Sequence, residues 1–252
     1  MHAGMCTPST FGYDAGVKLL LTSAGIKNKT IRDAMVEELG KPIADSNALC
    51  IPTASYGHPM VSPIRPWAFI AGQEPECPMT ELGWKSVGLL ELTALPTVSA
   101  ERWVPWVRDA DALLVNGGGA MYLTYWMRQS GLADVLPSLR DTVWLGVSAG
   151  SMVMTPRIGE DFVESKPSIT GDDSTLGVVD FSIFPHLDNP DLPQNTMGAA
   201  ERWAAGMPNR AYAIDDETAI KVVDGRAEVI SEGQWRLFTH AETTDTEREV
   251  PI

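Results

Sequence analysis

Thr142-Val143-Trp144-Leu145-Gly146-Val147-Ser148-Ala149-Gly150-Ser151-Met152-Val153-Met154-Thr155 is the stretch whose reading decides the fold. Its apolar first part predicts a buried strand, and Ser151–Thr155 predicts a short helix. Between them, Gly146-Val147-Ser148-Ala149-Gly150 fits the G-x-S-x-G pattern, which carries meaning in a strand–turn–helix setting. There the turn is sharp and lifts the serine hydroxyl above the end of the sheet. Small residues on both sides let strand and helix approach closely. Ser148 is therefore a candidate nucleophile, with helix N-terminal amides around it to stabilise developing negative charge.

The segments before the elbow repeat a strand–helix alternation. Val17–Thr22 predicts a buried strand, and the stretch from Thr30 to about Leu39 a helix capped by Thr30 and ended by Gly40 and Pro42. Ala48–Pro52 predicts a second strand with Thr53-Ala54-Ser55 at its end, and residues 56–66 a long loop. Further elements are a helix over 67–73, a strand over Val87–Leu92 and a helix from Ser99 or Ala100. Ala112–Val115 is a strand running into Asn116-Gly117-Gly118-Gly119, and a helix follows over Met121–Gln129. This alternation implies a parallel sheet with crossover helices, an α/β fold whose sites gather beyond the carboxyl ends of the strands. After the elbow, Phe181–Phe184 reads as a short strand and Asn195–Ala205 as a helix. Thr218–Val223 and Arg226–Ile230 around Asp224-Gly225 read as a β-hairpin. Residues 1–15 are expected to form a loose tail and residues 16–252 a single domain.

Composition narrows the function classes. The 252 residues carry a formal net charge of −14, with 44% hydrophobic and 21% charged residues. Such a chain has enough apolar residues for a sizeable core, and its acidity argues against binding nucleic acid or an anionic membrane surface. Cys6, Cys50 and Cys77 are scattered, with no disulfide framework and no metal-ligand spacing. Neither a secretory signal nor an apolar run of about 20 residues is present, so a cytoplasmic setting is expected. Most of the eight tryptophans are expected to pack in the core.

A serine nucleophile needs a base. Of the four histidines, His186 in Phe184-Pro185-His186-Leu187-Asp188 follows an apolar strand that can aim its ring at the edge holding Ser148. His240 is second choice. Acids that could steady the imidazolium include Glu160, Asp161, Glu164, Asp172, Asp173 and Asp188, and no spacing rule selects among them. The triple glycine can present bare backbone N–H groups to an oxyanion, with the amide of Ala149 completing the site.

In order along the chain, Asn116–Gly119, the Ser148 elbow, Phe184-Pro185-His186 and the hairpin after Ala213-Ile214-Asp215-Asp216-Glu217 resemble peptidase family S51, which includes aspartyl dipeptidase (peptidase E). The resemblance runs from about Val17 to Ile230. It implies a class I glutamine amidotransferase-like (flavodoxin-like) fold, a mostly parallel sheet flanked by helices with the C-terminal hairpin. It also implies Ser148 as nucleophile, His186 as base and an oxyanion site at the Gly119 and Ala149 amides. An acid between serine and histidine is implied as well, here Asp161 first and Glu160 second. Gly118 and Arg202 are the substrate-contacting candidates. The family's aspartate-selecting arginine has no direct counterpart, because Met197-Gly198-Ala199-Ala200-Glu201-Arg202 places Glu201 at about that position and Arg202 one place beyond. The expected activity is hydrolysis of a small peptide by a monomer or homodimer needing neither metal nor organic cofactor. The rivals are an α/β-hydrolase esterase using Asp215 or Asp216 with His240, and a non-catalytic binding domain.

Overall fold

A computed structural model of the chain describes residues 16–239 except 60, 61, 63, 76 and 164–170. The expected tail over 1–15, Glu164 and His240 lie outside the described residues. The strands are β1 (Lys18–Thr22), β2 (Asn47–Ile51), β3 (Ser86–Leu89), β4 (Ala112–Val115), β5 (Val143–Val147), β6 (Ser182–Phe184), β7 (Ala211–Ile214), β8 (Thr218–Val223), β9 (Arg226–Ser231) and β10 (Trp235–Phe238). The helices are α1 (Lys29–Leu39), α2 (Thr53–Gly57), α3 (Ile64–Ile70), α4 (Ala100–Arg108), α5 (Ala120–Gln129), α6 (Leu132–Val135), α7 (Ala149–Met152) and α8 (Met197–Ala205).

Seven strands form the main sheet in the order β3-β2-β4-β5-β1-β8-β9. The first five run parallel, and β8 and β9 are antiparallel additions beside β1. The alternation of side chains along each strand sorts the apolar residues into two layers. Leu19, Leu21, Leu113, Val115 and Trp144 face one core with Trp103 and Val107 of α4 and Met121, Leu123 and Met127 of α5. Leu20, Ala112, Leu114, Val143 and Leu145 face the other, with Ile31 and Met35 of α1 and Phe69 of α3. Burial on both faces explains why these strands read as nearly continuous apolar runs.

Several boundaries differ from expectation for local reasons. Asn28, not Thr30, caps α1 by accepting from Ile31 N–H at 2.9 Å, while Thr30 Oγ1 donates to Glu232 Oε1 at 2.6 Å. Thr53-Ala54-Ser55 coils into α2, and α3 begins inside the expected 56–66 loop. The hairpin between β8 and β9 turns at Asp224 (φ 48°) and Gly225 (φ 73°), the two positive φ values of a type I′ turn. A second sheet, β10-β7-β6, is an addition to the expected architecture. Its β6 and β7 run parallel and end beside β1, which brings the segments after Phe184 and Ile214 to the site edge.

Candidate active site

Ser148 sits between β5 and α7 with φ 47° and ψ −109°, a conformation L-residues avoid unless the surroundings impose it. Here they do. Ser148 N–H donates to the Thr22 carbonyl of β1 at 2.9 Å, and the Ser148 carbonyl accepts from Ser151 and Met152 N–H at 2.8 and 2.9 Å. Ser151, fully buried, ties the short helix to both strands. Its Oγ donates toward the carbonyls of Thr22 and Gly146 (2.8 and 2.9 Å) and accepts from Thr22 N–H (2.8 Å). The two glycines of the motif are required by distance. A Cβ on Gly146 would lie 2.4 Å from the Gly150 carbonyl oxygen, and one on Gly150 would lie 2.3 Å from that of Val115.

His186 follows β6 and also has a positive φ, 56°. Its N–H donates to Ser23 Oγ at 3.0 Å, and Ser23 Oγ donates to the Ile214 carbonyl at 3.0 Å, so the ends of β1, β6 and β7 are bonded together. The imidazole Nδ1 is 2.7 Å from Asp216 Oδ1, and the other oxygen of Asp216 accepts from Asn189 Nδ2 at 2.6 Å. Burial alone would raise the Asp216 carboxyl. The hydrogen bond and charge of His186, with Asn189 and Lys27, outweigh it and hold the group below the ordinary aspartate value.

The acid expected between serine and histidine is thus corrected. Glu160 and Asp161 form an exposed 3-10 turn at the cavity rim, and neither hydrogen-bonds His186. Their turn is anchored elsewhere. Asp173, 4% exposed, receives Nε and Nη2 of Arg157 and the N–H of Gly159, which fixes the backbone just ahead of Glu160. Asp172 bonds Ser174 at the surface, and Asp188 accepts from Met197 N–H. Asp215 is occupied as a turn-former, accepting from Glu217 N–H (3.1 Å) and Thr218 Oγ1 (2.6 Å). The carboxylate that pairs with His186 therefore follows it in the chain, giving the order Ser148, His186, Asp216. Asp216 pairs with His186, and the expected alternative with His240 lies outside the described residues.

The oxyanion assignment also changes. Gly119 N–H donates to the Ala54 carbonyl at 2.8 Å, so this amide is already engaged. Gly117 N–H is held by Asn116 Oδ1 at 2.8 Å. Gly118 lines the cavity at φ 139°, where an added Cβ would lie 2.2 Å from the Ala54 oxygen. Its N–H is the remaining candidate on this loop. Ala149 is the first residue of α7, so its N–H has no intrahelical acceptor. Helix α2 supports this arrangement through Ser55 Oγ, which donates to the Gly117 carbonyl and accepts from Asn116 Nδ2, both at 3.1 Å.

Ser148, His186, Gly117 and Gly118 open on one cavity of about 670 Å³. Arg202 of α8 lines the same cavity, whereas Glu201 turns outward to Arg236 at 2.7 Å. Phe162 and Phe184 supply apolar wall, packed edge-to-face on each other and on Trp203. Glu74, Arg65, His58 and Cys77 also line it, although no motif in the sequence marks them. Among the described residues no group of three or more His, Cys, Asp or Glu side chains is placed to hold a metal. No helix there is long and apolar enough to cross a membrane.

Residues 19–230 match the model of peptidase family S51. No significant match is found among curated proteins. Among solved structures, the chain is similar to a peptidase E candidate from Listeria monocytogenes EGD-e, with 19% identity and a TM-score of 0.61 over 89% of this chain and 99% of that one. It is also similar to a peptidase from an acI-B1 Actinobacterium, with 18% identity and a TM-score of 0.64 over 90% of this chain and 95% of that one. At these identities the structural likeness shows the fold, a mostly parallel sheet flanked by helices.

Proposed function

Because this chain belongs to peptidase family S51, we propose that it is a serine peptidase acting on short peptides through an acyl-enzyme on Ser148. The observation that carries this reading is the convergence of the Ser148 elbow and the His186–Asp216 pair on one cavity. Asp216 accepts Nδ1–H of His186, which leaves Nε2 as the base. Ser148 Oγ gives its proton to Nε2 and bonds to the scissile carbonyl carbon. The resulting oxyanion is received by the N–H groups of Gly118 and Ala149. Collapse of the tetrahedral adduct breaks the C–N bond as His186 returns the proton to the leaving amine. Water, deprotonated by the same imidazole, then hydrolyses the ester.

Arg202 suits a carboxylate of the substrate, the C-terminal one in a dipeptide. A guanidinium at a cavity wall binds a carboxylate in two parallel hydrogen bonds. The test is a panel of dipeptides with varied N-terminal residue, assayed with wild type and Ser148→Ala, together with labelling by a fluorophosphonate. Turnover that needs Ser148, and labelling at Ser148, are expected. Turnover that survives in Ser148→Ala overturns the mechanism.

A further inference from the structure

Glu91 follows β3 by two residues and carries a carboxyl that the proposed acyl transfer does not use. Its Oε1 gathers three donors: Thr53 Oγ1 at 2.9 Å, Thr93 N–H at 3.1 Å and Thr93 Oγ1 at 3.0 Å. Its Oε2 is buried and has no hydrogen-bond partner among the described residues. A buried polar atom left unpaired costs stability, and an apolar side chain of similar shape avoids that cost. The carboxyl therefore calls for a role besides stability. The residue it holds most directly is Thr53, fully buried, whose Oγ1 donates to Glu91 and accepts from Leu92 N–H at 3.2 Å.

The sheet sets Thr53 between Glu91 and the glycine loop. Strand β2 lies between β3 and β4, and both neighbours carry the pairing past their ends. Leu90 N–H donates to the Cys50 carbonyl at 2.9 Å, and Asn116 N–H donates to the Ile51 carbonyl at 3.1 Å. Helix α2 starts at Thr53, just after β2, so its first turn has Glu91 on one side and Asn116–Gly119 on the other. That turn moulds the loop by contact. The Ala54 carbonyl accepts from Gly119 N–H at 2.8 Å, and an added Cβ on Gly118 would lie 2.2 Å from the same oxygen. Ser55 Oγ donates to the Gly117 carbonyl at 3.1 Å. All three glycines thus rest on Ala54 and Ser55, both buried. Pro52, at the N-cap of α2, offers no side-chain hydrogen bond, so Thr53 Oγ1 ties the start of this turn to the chain after β3.

We propose that Glu91, acting through Thr53 and the first turn of α2, is a positioning residue that sets the Gly118 N–H where the oxyanion forms. This rests on the reading of Ser148 as the acylated residue and of Gly118 as an oxyanion donor. A catalytic group misplaced by about 1 Å can cost about 10²-fold in rate, and loss of an oxyanion donor costs about 10²–10³-fold. The nucleophile and base are held from elsewhere: Ser148 N–H bonds the Thr22 carbonyl of β1, and His186 N–H bonds Ser23 Oγ. Loosening the first turn of α2 therefore moves the oxyanion donor and leaves the proton relay in place.

The test is the rate constant for labelling of Ser148 by a fluorophosphonate, whose phosphoryl oxygen needs the same amides, followed across the titration of the base. Thr53→Val removes the hydroxyl at nearly constant volume, and Thr53→Ser keeps it. Glu91→Leu removes the acceptor, and Glu91→Gln keeps an oxygen that can accept from Thr53. Thr53→Val and Glu91→Leu are expected to lower the plateau rate about ten- to hundredfold. The pH midpoint, which reports the base, is expected to stay at its wild-type value in both. Thr53→Ser and Glu91→Gln are expected to recover the rate to within about threefold of wild type. Urea midpoints of all four variants show that the labelled protein is folded, and the Thr53 pair carries the test if Glu91→Leu does not fold. Wild-type rates in Thr53→Val overturn the proposal, as does a loss that Thr53→Ser fails to recover. A shifted pH midpoint also overturns it, because the effect would then lie on His186. Failure of wild type to label sinks the acyl-enzyme and this proposal together. Labelling of wild type and Thr53→Val at equal rates sinks the role of Glu91 alone.

Discussion

His186 Nδ1 and Asp216 Oδ1 are 2.7 Å apart, although the two residues leave different strands of the small second sheet. The contact fixes which imidazole nitrogen faces away from the acid, and so which one is offered to the cavity. Asn189 bonds the second oxygen of Asp216 and keeps the carboxylate from rotating away.

Asp216→Asn is expected to lower kcat by about 10²–10⁴-fold, because an amide stabilises the wrong tautomer and cannot balance an imidazolium. Asp161→Ala, at the cavity rim, is expected to change kcat by less than about threefold, as for a surface group outside the proton relay. Steady-state kinetics on the same dipeptide decides between them, and the reverse ranking would restore the acid between serine and histidine.

The Asp216 carboxyl is depressed in the folded protein, so its pairing adds stability above the unfolded carboxylate value of about 3.9 and loses it as pH falls through the lower folded value. The urea midpoint of wild type should therefore exceed that of Asp216→Asn by a constant margin above about pH 5 and approach it below about pH 4. A margin that grows on acidification contradicts the depressed value.

Gly150→Ala would place a methyl 2.3 Å from the Val115 carbonyl oxygen, a backbone atom that cannot swing aside. A loss of about 1–3 kcal/mol in urea unfolding is expected, as for an overpacked core, together with loss of fluorophosphonate labelling. An unchanged midpoint would mean that the elbow is looser than described.

Asp173→Ala removes the anchor of Arg157 and Gly159 and is expected to cost about 1–3 kcal/mol, the penalty for unpairing a buried charged hydrogen bond. Limited proteolysis should then cut first near residues 157–163. Cleavage confined to other segments would separate Asp173 from the order of the cavity rim.

Arg202→Gln is expected to raise KM for dipeptides about tenfold or more with little change in kcat, the mark of lost ground-state binding. Glu201→Gln, whose partner Arg236 is half exposed, should leave KM unchanged within about twofold. Equal effects of the two substitutions would remove Arg202 from substrate binding.

Much of the fold is local and was readable from residues alone. The apolar runs 18–22, 48–51, 112–115 and 143–147 could bury both faces only inside a sheet covered by helices, and they do. Asp224-Gly225 set the hairpin because both positions adopt positive φ. The second sheet was not legible. Ala211–Ile214 and Trp235–Phe238 lie in a sheet whose strands come from separated segments, β10 pairing with β7 and β7 with β6, a pairing that only distance through space selects.

For the site, Gly146–Gly150 by itself determined a tight strand–helix turn at Ser148, since only residues of that size fit distances of 2.3–2.4 Å to backbone oxygens. Tertiary structure alone decided the partners. Asp216 reaches His186 because β6 and β7 run parallel and end together. Gly118, not Gly119, is the oxyanion candidate because the Gly119 amide is spent on Ala54, a residue of another crossover. Arg202, not Glu201, faces the cavity because α8 turns the neighbouring glutamate to Arg236. Backbone conformation follows from a residue and its neighbours. A hydrogen-bond partner is chosen by distance through space, which no spacing along the chain encodes.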